Sequence, residues 1–201
     1  MRSCFRSAIA LLAVTASTWP AHAQEPTRAE ADAMQTKLAR VAAAAEAPRP
    51  TDAPPIHTKF TEREINAYLA LEGPDFLPPG IAMPSVQLGD EGRVVAQAIV
   101  DLDAVRRSRE RGLFDPLAYL TGSVEVLAVG KIEGDGGRGL IRYESATVGG
   151  VTVPKTVAQE LLRFYTRTPK RPGGFELDEP FALPAGLRAV SVERGAVSVT
   201  Q

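Results

Sequence analysis

Residues Thr121–Val148 read TGSVEVLAVGKIEGDGGRGLIRYESATV, and the fold is decided by how this stretch is read. Apolar residues alternate with polar ones on either side of a glycine-rich centre, which is the period of an antiparallel hairpin. The pattern predicts strands over Thr121–Glu133 and Arg138–Val148 joined by the turn Gly134-Asp135-Gly136-Gly137. A strand of a dozen residues rises about 3.3 Å per residue and spans about 40 Å. That is well beyond the usual five or six residues. On the first strand Val124, Val126, Ala128, Gly130 and Ile132 share a face, opposed by Ser123, Glu125, Lys131 and Glu133, with Leu127 and Val129 as exceptions. On the second, Ile141, Tyr143 and Ser145 oppose Arg142 and Glu144.

Upstream the same period continues. Met83–Leu88 leads through the turn Gly89-Asp90-Glu91-Gly92 into a strand over Arg93–Asp103. Val94, Ala96, Ala98, Val100 and Leu102 fall on one face of it, and Arg93, Gln97, Asp101 and Asp103 on the other, interrupted by Val95 and Ile99. One buried and one mostly wet face is the antiparallel habit. The inward residues are small, Ala96, Ala98, Ala128 and Gly130 among them. Small inward residues either leave a cavity in a curved sheet or admit a closely packed helix, and the pattern is compatible with both. Downstream, Gly149-Gly150 turns the chain into a helix over Pro154–Thr166 with the stripe Val157, Leu161, Leu162 and Tyr165 and Phe164 at its margin. A short strand near Phe181 and a closing hairpin, Leu187–Val192 and Ala196–Thr200 about Glu193-Arg194-Gly195, complete the chain.

Before the sheet lies a helix start. Thr61-Glu62-Arg63-Glu64 is a capping box: the Thr61 hydroxyl accepts from the Glu64 N–H and Glu64 reaches back. Phe60, just outside, pairs with Ile65 as a hydrophobic staple. Residues 48–58 carry several prolines and read as an extended linker. Residues 24–47 form an Ala-rich helix, with Pro26 suited to a first helical position. Its narrow stripe of Met34, Leu38, Val41 and Ala45 places it outside the main domain or frayed. Residues 1–23 have the form of a secretory signal, with Arg2 and Arg6, the apolar run Ala8–Val14 and the small-x-small site Ala21-His22-Ala23. The expected organisation is therefore signal peptide 1–23, helix 24–47, linker 48–58 and domain 59–201, in a protein of the bacterial periplasm or exterior. Cys4 lies before the apolar run, so the mature chain has no cysteine and no disulfide or thiolate chemistry.

Composition narrows the function further. The 201 residues are 44% hydrophobic and carry a formal net charge of −1, which gives one core and no general attraction to nucleic acid. Aromatics are scarce. His57 is the only histidine after the signal and lies in the linker, a poor place for a metal ligand or a catalytic base. No G-x-S-x-G elbow occurs, and the glycines of 134–139 join strands rather than opening a helix, so they are no phosphate cradle. Asp101 and Asp103 alternate at a strand end and read as solvated carboxylates more readily than as a catalytic pair. Arg106, Arg107, Arg109 and Arg111 read as a solvated surface helix, with lipid headgroup contact as the sharper alternative. Arg167, Lys170 and Arg171 complement a helix dipole. With no base, metal site or nucleophile, the chain is read as a non-enzyme without cofactor.

The segment FTEREINAYL (Phe60–Leu69), the long meander, the apolar helix after the hairpin and the ending ALPAGLRAVSVERGAVSV (Ala182–Val199) together resemble the LmeA-like phospholipid-binding family of the wider tubular lipid-binding (TULIP-like) group. The likeness covers residues 60–201 and rests on turns and core positions rather than on chemistry. It implies an α+β fold, a long curved antiparallel β-meander forming a half-barrel around one or two helices. It also implies an apolar groove for acyl chains, and hence a lipid or other apolar small molecule as partner, with peripheral membrane contact. The lining expected from the inward faces is Val94, Ala96, Ala98 and Val100, then Val124, Val126 and Ala128, then Ile141 and Tyr143, closed by Val157, Leu161 and Phe164 of the later helix. The rival expectation is a structural or interaction module of the cell envelope, its core filled and without ligand.

Overall fold

A computed structural model of the chain describes residues 25–47, 50, 53–107, 122–166 and 172–201. In chain order these form α1 (Arg28–Glu46), β1 (His57–Thr61), α2 (Glu62–Leu71), α3 (Gly73–Phe76), β2 (Ile81–Leu88), β3 (Arg93–Asp101) and α4 (Leu102–Arg107). Then follow β4 (Ser123–Asp135), β5 (Arg138–Val148), β6 (Val151–Thr152), α5 (Lys155–Thr166), β7 (Phe181–Ala182), β8 (Ala189–Glu193) and β9 (Ala196–Thr200). The class is α+β, with one nine-stranded antiparallel sheet that does not close on itself.

The long hairpin forms as its pattern requires. β4 runs two residues further than expected, because the turn is tighter: Gly136 and Gly137 alone make it, at φ 55° and 77°. Two consecutive positive φ values are the two-residue hairpin geometry that matches strand twist, and only glycine adopts them without a Cβ penalty. β2, β3, β4 and β5 follow as a meander.

β4 changes neighbours along one edge. Residues 123–131 pair with β3, and beyond them Gly134 pairs with Val190 of β8. Gly92, in the β2–β3 turn, sits at this junction. Its carbonyl accepts from the Ile132 N–H (2.8 Å) and its N–H donates to the Val192 carbonyl (3.2 Å). A Cβ at Gly92 would stand 2.8 Å from the Ile132 oxygen, at φ 81°, so the junction demands glycine. β8, β9 and β1 continue the sheet beyond it.

Three side chains seal free strand edges. The Asn66 amide on α2 pairs with both backbone groups of Val86: its Nδ2 donates to the carbonyl (2.8 Å), and its Oδ1 accepts from the N–H (2.7 Å). Glu62 accepts from the Leu88 N–H (2.7 Å). Thus α2 stands where a further strand would pair with β2, one way proteins blunt an exposed edge. Asp178 does the same on β5: its carboxylate accepts from the Tyr143 N–H (2.9 Å) and its own N–H donates to the Ile141 carbonyl (2.8 Å).

Several expectations are corrected. The N-terminal helix does not stand apart. Pro26 lies before α1 rather than at its first position: the helix starts at Arg28, capped by Thr27 through a second capping box with Glu30. Val41 joins Phe60 and Val199 in a buried cluster, with Met34, Ile65, Leu187, Val190 and Val197 packed against it. Ala31, outside the expected stripe, is 1% exposed, whereas Leu38 and Ala45 of that stripe are exposed. His57 lies in a strand rather than in a linker: it opens β1, opposite Thr200, with its Nδ1 3.0 Å from the Thr200 hydroxyl. β3 ends at Asp101, whose Oδ1 accepts from the N–H groups of Asp103 (2.9 Å) and Ala104 (3.0 Å) to start α4. Asp103 accepts from the Gly122 N–H (3.0 Å) across the segment between α4 and β4. The two carboxylates therefore order backbone, and they do not share a strand face. Arg109 and Arg111 lie outside the described residues, as do the side chains of Arg106 and Arg107.

Candidate functional site: an apolar strip across the meander

In antiparallel pairs, residues directly opposite each other share a sheet face. The register therefore says which of the expected lining residues meet. Val94 lies opposite Gly130, Ala96 opposite Ala128, Ala98 opposite Val126 and Val100 opposite Val124. A register shift between Val129 and Gly130 then brings Tyr143 opposite Gly130 and Ile141 opposite Ile132. The nine sheet positions named from the sequence thus fall on one face. Ala146, which pairs with Ala128, Val148, which pairs with Val126, and Val86 and Leu88, which pair with Ala96 and Val94, extend the same strip. These four were missed because β2 is short of alternation and because the shift in β5 moves the face by one residue.

The strip is not uniformly covered. Val94, Ala98, Val100, Val124, Val126, Ile141 and Tyr143 are half-buried, and Ala96 and Ala128 at its centre are exposed. Towards the hairpin tip the floor is covered by the chain itself. A Cβ at Gly139 would lie 2.7 Å from Phe181 and 2.8 Å from Leu183, and one at Gly134 would lie 3.1 Å from Val190 and 3.2 Å from Leu183. Phe181 in turn meets Phe175 edge-on, with centroids 4.9 Å apart. Small residues therefore serve close packing at the tip, whereas in the middle of the strip they leave open surface.

The helix end of the expected lining differs from expectation. α5 has β5 as its main sheet neighbour. It is fixed by polar groups: the Gln159 amide spans the Phe175 carbonyl (3.1 Å) and the Leu177 N–H (2.6 Å), and Arg163 bonds Glu176 (2.7 Å) and Glu160 (2.9 Å). Lys155 pairs with Asp178, which holds that carboxyl below its usual range together with the Tyr143 N–H. Val157 and Leu161 are 48% and 39% exposed. Both are thus open to solvent in part, while the polar side of α5 is held by the backbone and carboxylate groups of the adjoining residues 175–177. Phe164 belongs to α5, and its side chain lies outside the described ones. Tyr143 turns its hydroxyl to the Val153 carbonyl (2.8 Å), which satisfies the one polar atom among the lining side chains.

A concavity of about 600 Å³ lies where the hairpin tip meets β8, lined by Gly92, Ile132, Gly134, Gly139, Val190 and Val192 with Glu91, Glu133, Asp135 and Arg138 among its polar groups. None of the expected lining residues borders it. Among the described residues no cluster of His, Cys, Asp or Glu is placed to hold a metal ion, and no described helix is long and apolar enough to cross a membrane. No family model matches the chain, and neither the curated proteins nor the solved structures contain a significant match to it.

Proposed function

We propose that the protein is a non-enzymatic binding or carrier protein for a lipid or another apolar small molecule, acting in the bacterial envelope after removal of residues 1–23, and built on a TULIP-like half-barrel. The observation that carries this reading is the continuous apolar strip of β2 to β5, with the small residues Ala96 and Ala128 exposed at its centre. From Val94 to Val100 the strip is about 20 Å long at 3.3 Å per residue, which suits one long acyl chain lying along the strands. Binding would be driven by burial of apolar surface, about 0.8 kcal/mol per methylene.

The rival is a structural or interaction module with a filled core. It is favoured by Phe181 and Leu183, which already occupy the glycine floor at one end. Native mass spectrometry of the protein purified from its own compartment, followed by titration with a fluorescent fatty acid, separates the two. The carrier reading expects copurified lipid or saturable uptake, and expects Ala128→Trp and Ala98→Trp to abolish uptake while far-UV circular dichroism is unchanged. A protein that is empty and takes up nothing is the structural module. Uptake that survives both tryptophans places the ligand elsewhere.

A further inference from the structure

We propose that α1 is a releasable strap: it opens from the face formed by α2, β1 and β9 as a unit, while the meander stays folded, and uncovers a second apolar surface. Three observations support this. First, α1 is attached by one narrow face. Of its nineteen residues only Ala31 and Val41 are buried, and Leu38 remains exposed. Secondly, much of the attachment is ionic. Arg28 pairs with Glu72 (2.5 Å), Glu30 with Arg63 (2.5 Å) and Lys37 with Glu64 (2.7 Å). Lys37 also donates to the Lys59 carbonyl (2.7 Å). The Arg28 and Arg63 side chains are more than half exposed, and ion pairs of exposed side chains contribute little and are screened by salt, whereas Lys37 and Glu64 are the more sheltered pair. Thirdly, the clasp from the far side is incomplete. Gln201, 5% exposed, donates to the carbonyls of Val41 (2.9 Å) and Ala185 (2.7 Å), but its Oε1 has no partner.

The contrast with the meander gives the prediction its direction. β4 is flanked along most of its length by β3 and β5, so exposing its amides requires two strand pairings to break. Detaching α1 breaks none. Elements attached through few buried side chains open below the free energy of global unfolding. What opening uncovers is specific. Phe60 and Val199 are the buried residues beneath α1, with Ile65 and Val197 beside them and Glu64 as the anionic landmark.

Hydrogen exchange measured by mass spectrometry on the mature chain tests this. At neutral pH, amides in 31–43 should exchange at least roughly tenfold faster than those in 126–133 after correction for intrinsic rates. Raising NaCl from 0.05 to 0.5 M should speed α1 by roughly threefold and leave β4 unchanged. Lys37→Met keeps the apolar stem and removes the charge, and should act on α1 alone. The proposal is overturned if α1 and β4 exchange at one common rate, or if salt and Lys37→Met move both equally. Either result makes α1 part of a single cooperative unit. Because the salt comparison needs no variant, a failure of Lys37→Met to fold does not remove the test.

Discussion

Replacing Asn66 with Ala should cost about 2 kcal/mol and open one edge of the sheet. The magnitude follows from two bonds, both from one side chain, to the N–H (2.7 Å) and the carbonyl (2.8 Å) of Val86. A typical hydrogen bond contributes about 0.5–1.5 kcal/mol net, and an orphaned buried partner costs about 1–3 kcal/mol. Val86 is half-buried, so water reaches its freed groups in part, and the lower end of the combined range applies. Asn66→Asp is the informative companion. It keeps the acceptor for the Val86 N–H but turns a carboxylate towards the Val86 carbonyl, so it should be no better than Ala. Urea unfolding at neutral pH reads the effect. With a slope of about 1–3 kcal/mol per molar, the midpoint should fall by about 1 M. An unpaired β2 edge is a template for association, so size-exclusion chromatography should show concentration-dependent oligomers for Asn66→Ala and a single peak for the parent. If Asn66→Ala unfolds within about 0.5 kcal/mol of the parent, in the range of ordinary surface changes, the sealing of β2 by α2 is not what holds the two together.

Two further outcomes follow from the same contacts. Acid should destabilise the protein in a defined window. Burial pushes the Glu64 carboxyl up, but the Lys37 ammonium and the Thr61 N–H outweigh it, leaving Glu64 below its ordinary 4.5, and Asp178 is held below 3.8 by Lys155 and Tyr143. Groups depressed in the folded state contribute stability above their unfolded values and lose it as pH falls through the folded ones. The melting temperature should therefore change little from pH 7 to 5 and decline below about pH 4.5; equal melting at pH 7 and 3.5 would contradict the assignment. At the hairpin tip, Gly139→Ala should cost about 1–3 kcal/mol through overpacking, since its Cβ would sit 2.7 Å from Phe181. In the Phe181→Ala background the cost of Gly139→Ala in thermal unfolding should shrink, because the Phe181 ring is one of the two groups, with Leu183, that the new Cβ meets. An undiminished cost would mean that the glycine is required for another reason.

Much of the fold was legible because it is written locally. Gly136-Gly137 and the alternation on either side of them specify β4 and β5 without reference to anything distant, as Gly195 does for the closing hairpin. Thr61 and Glu64 announce the start of α2 through bonds only three residues apart. The shared face of Val94, Ala98, Val126 and Tyr143 was likewise available from the period of two, since register preserves parity except at the shift in β5. The candidate site is correspondingly legible in its floor and not in its cover.

What only the tertiary structure decided concerns the choice of distant partners. Helical periodicity gave α1 its narrow stripe but could not say that Phe60, Ile65 and Val199, remote in sequence, would form the surface that Met34 and Val41 meet. The stripe of α5 was visible, yet Gln159 and Arg163 found the backbone and carboxylate of residues 175–177 and turned Val157 and Leu161 towards solvent. Asp101 and Asp103, equivalent in a strand, parted company once backbone N–H groups at a helix start and at Gly122 needed acceptors. Local pattern sets which residues can share a face, because the chain's own geometry enforces the period. Which face is covered, and by what, depends on hydrogen-bond partners and packing shapes brought together across the whole chain.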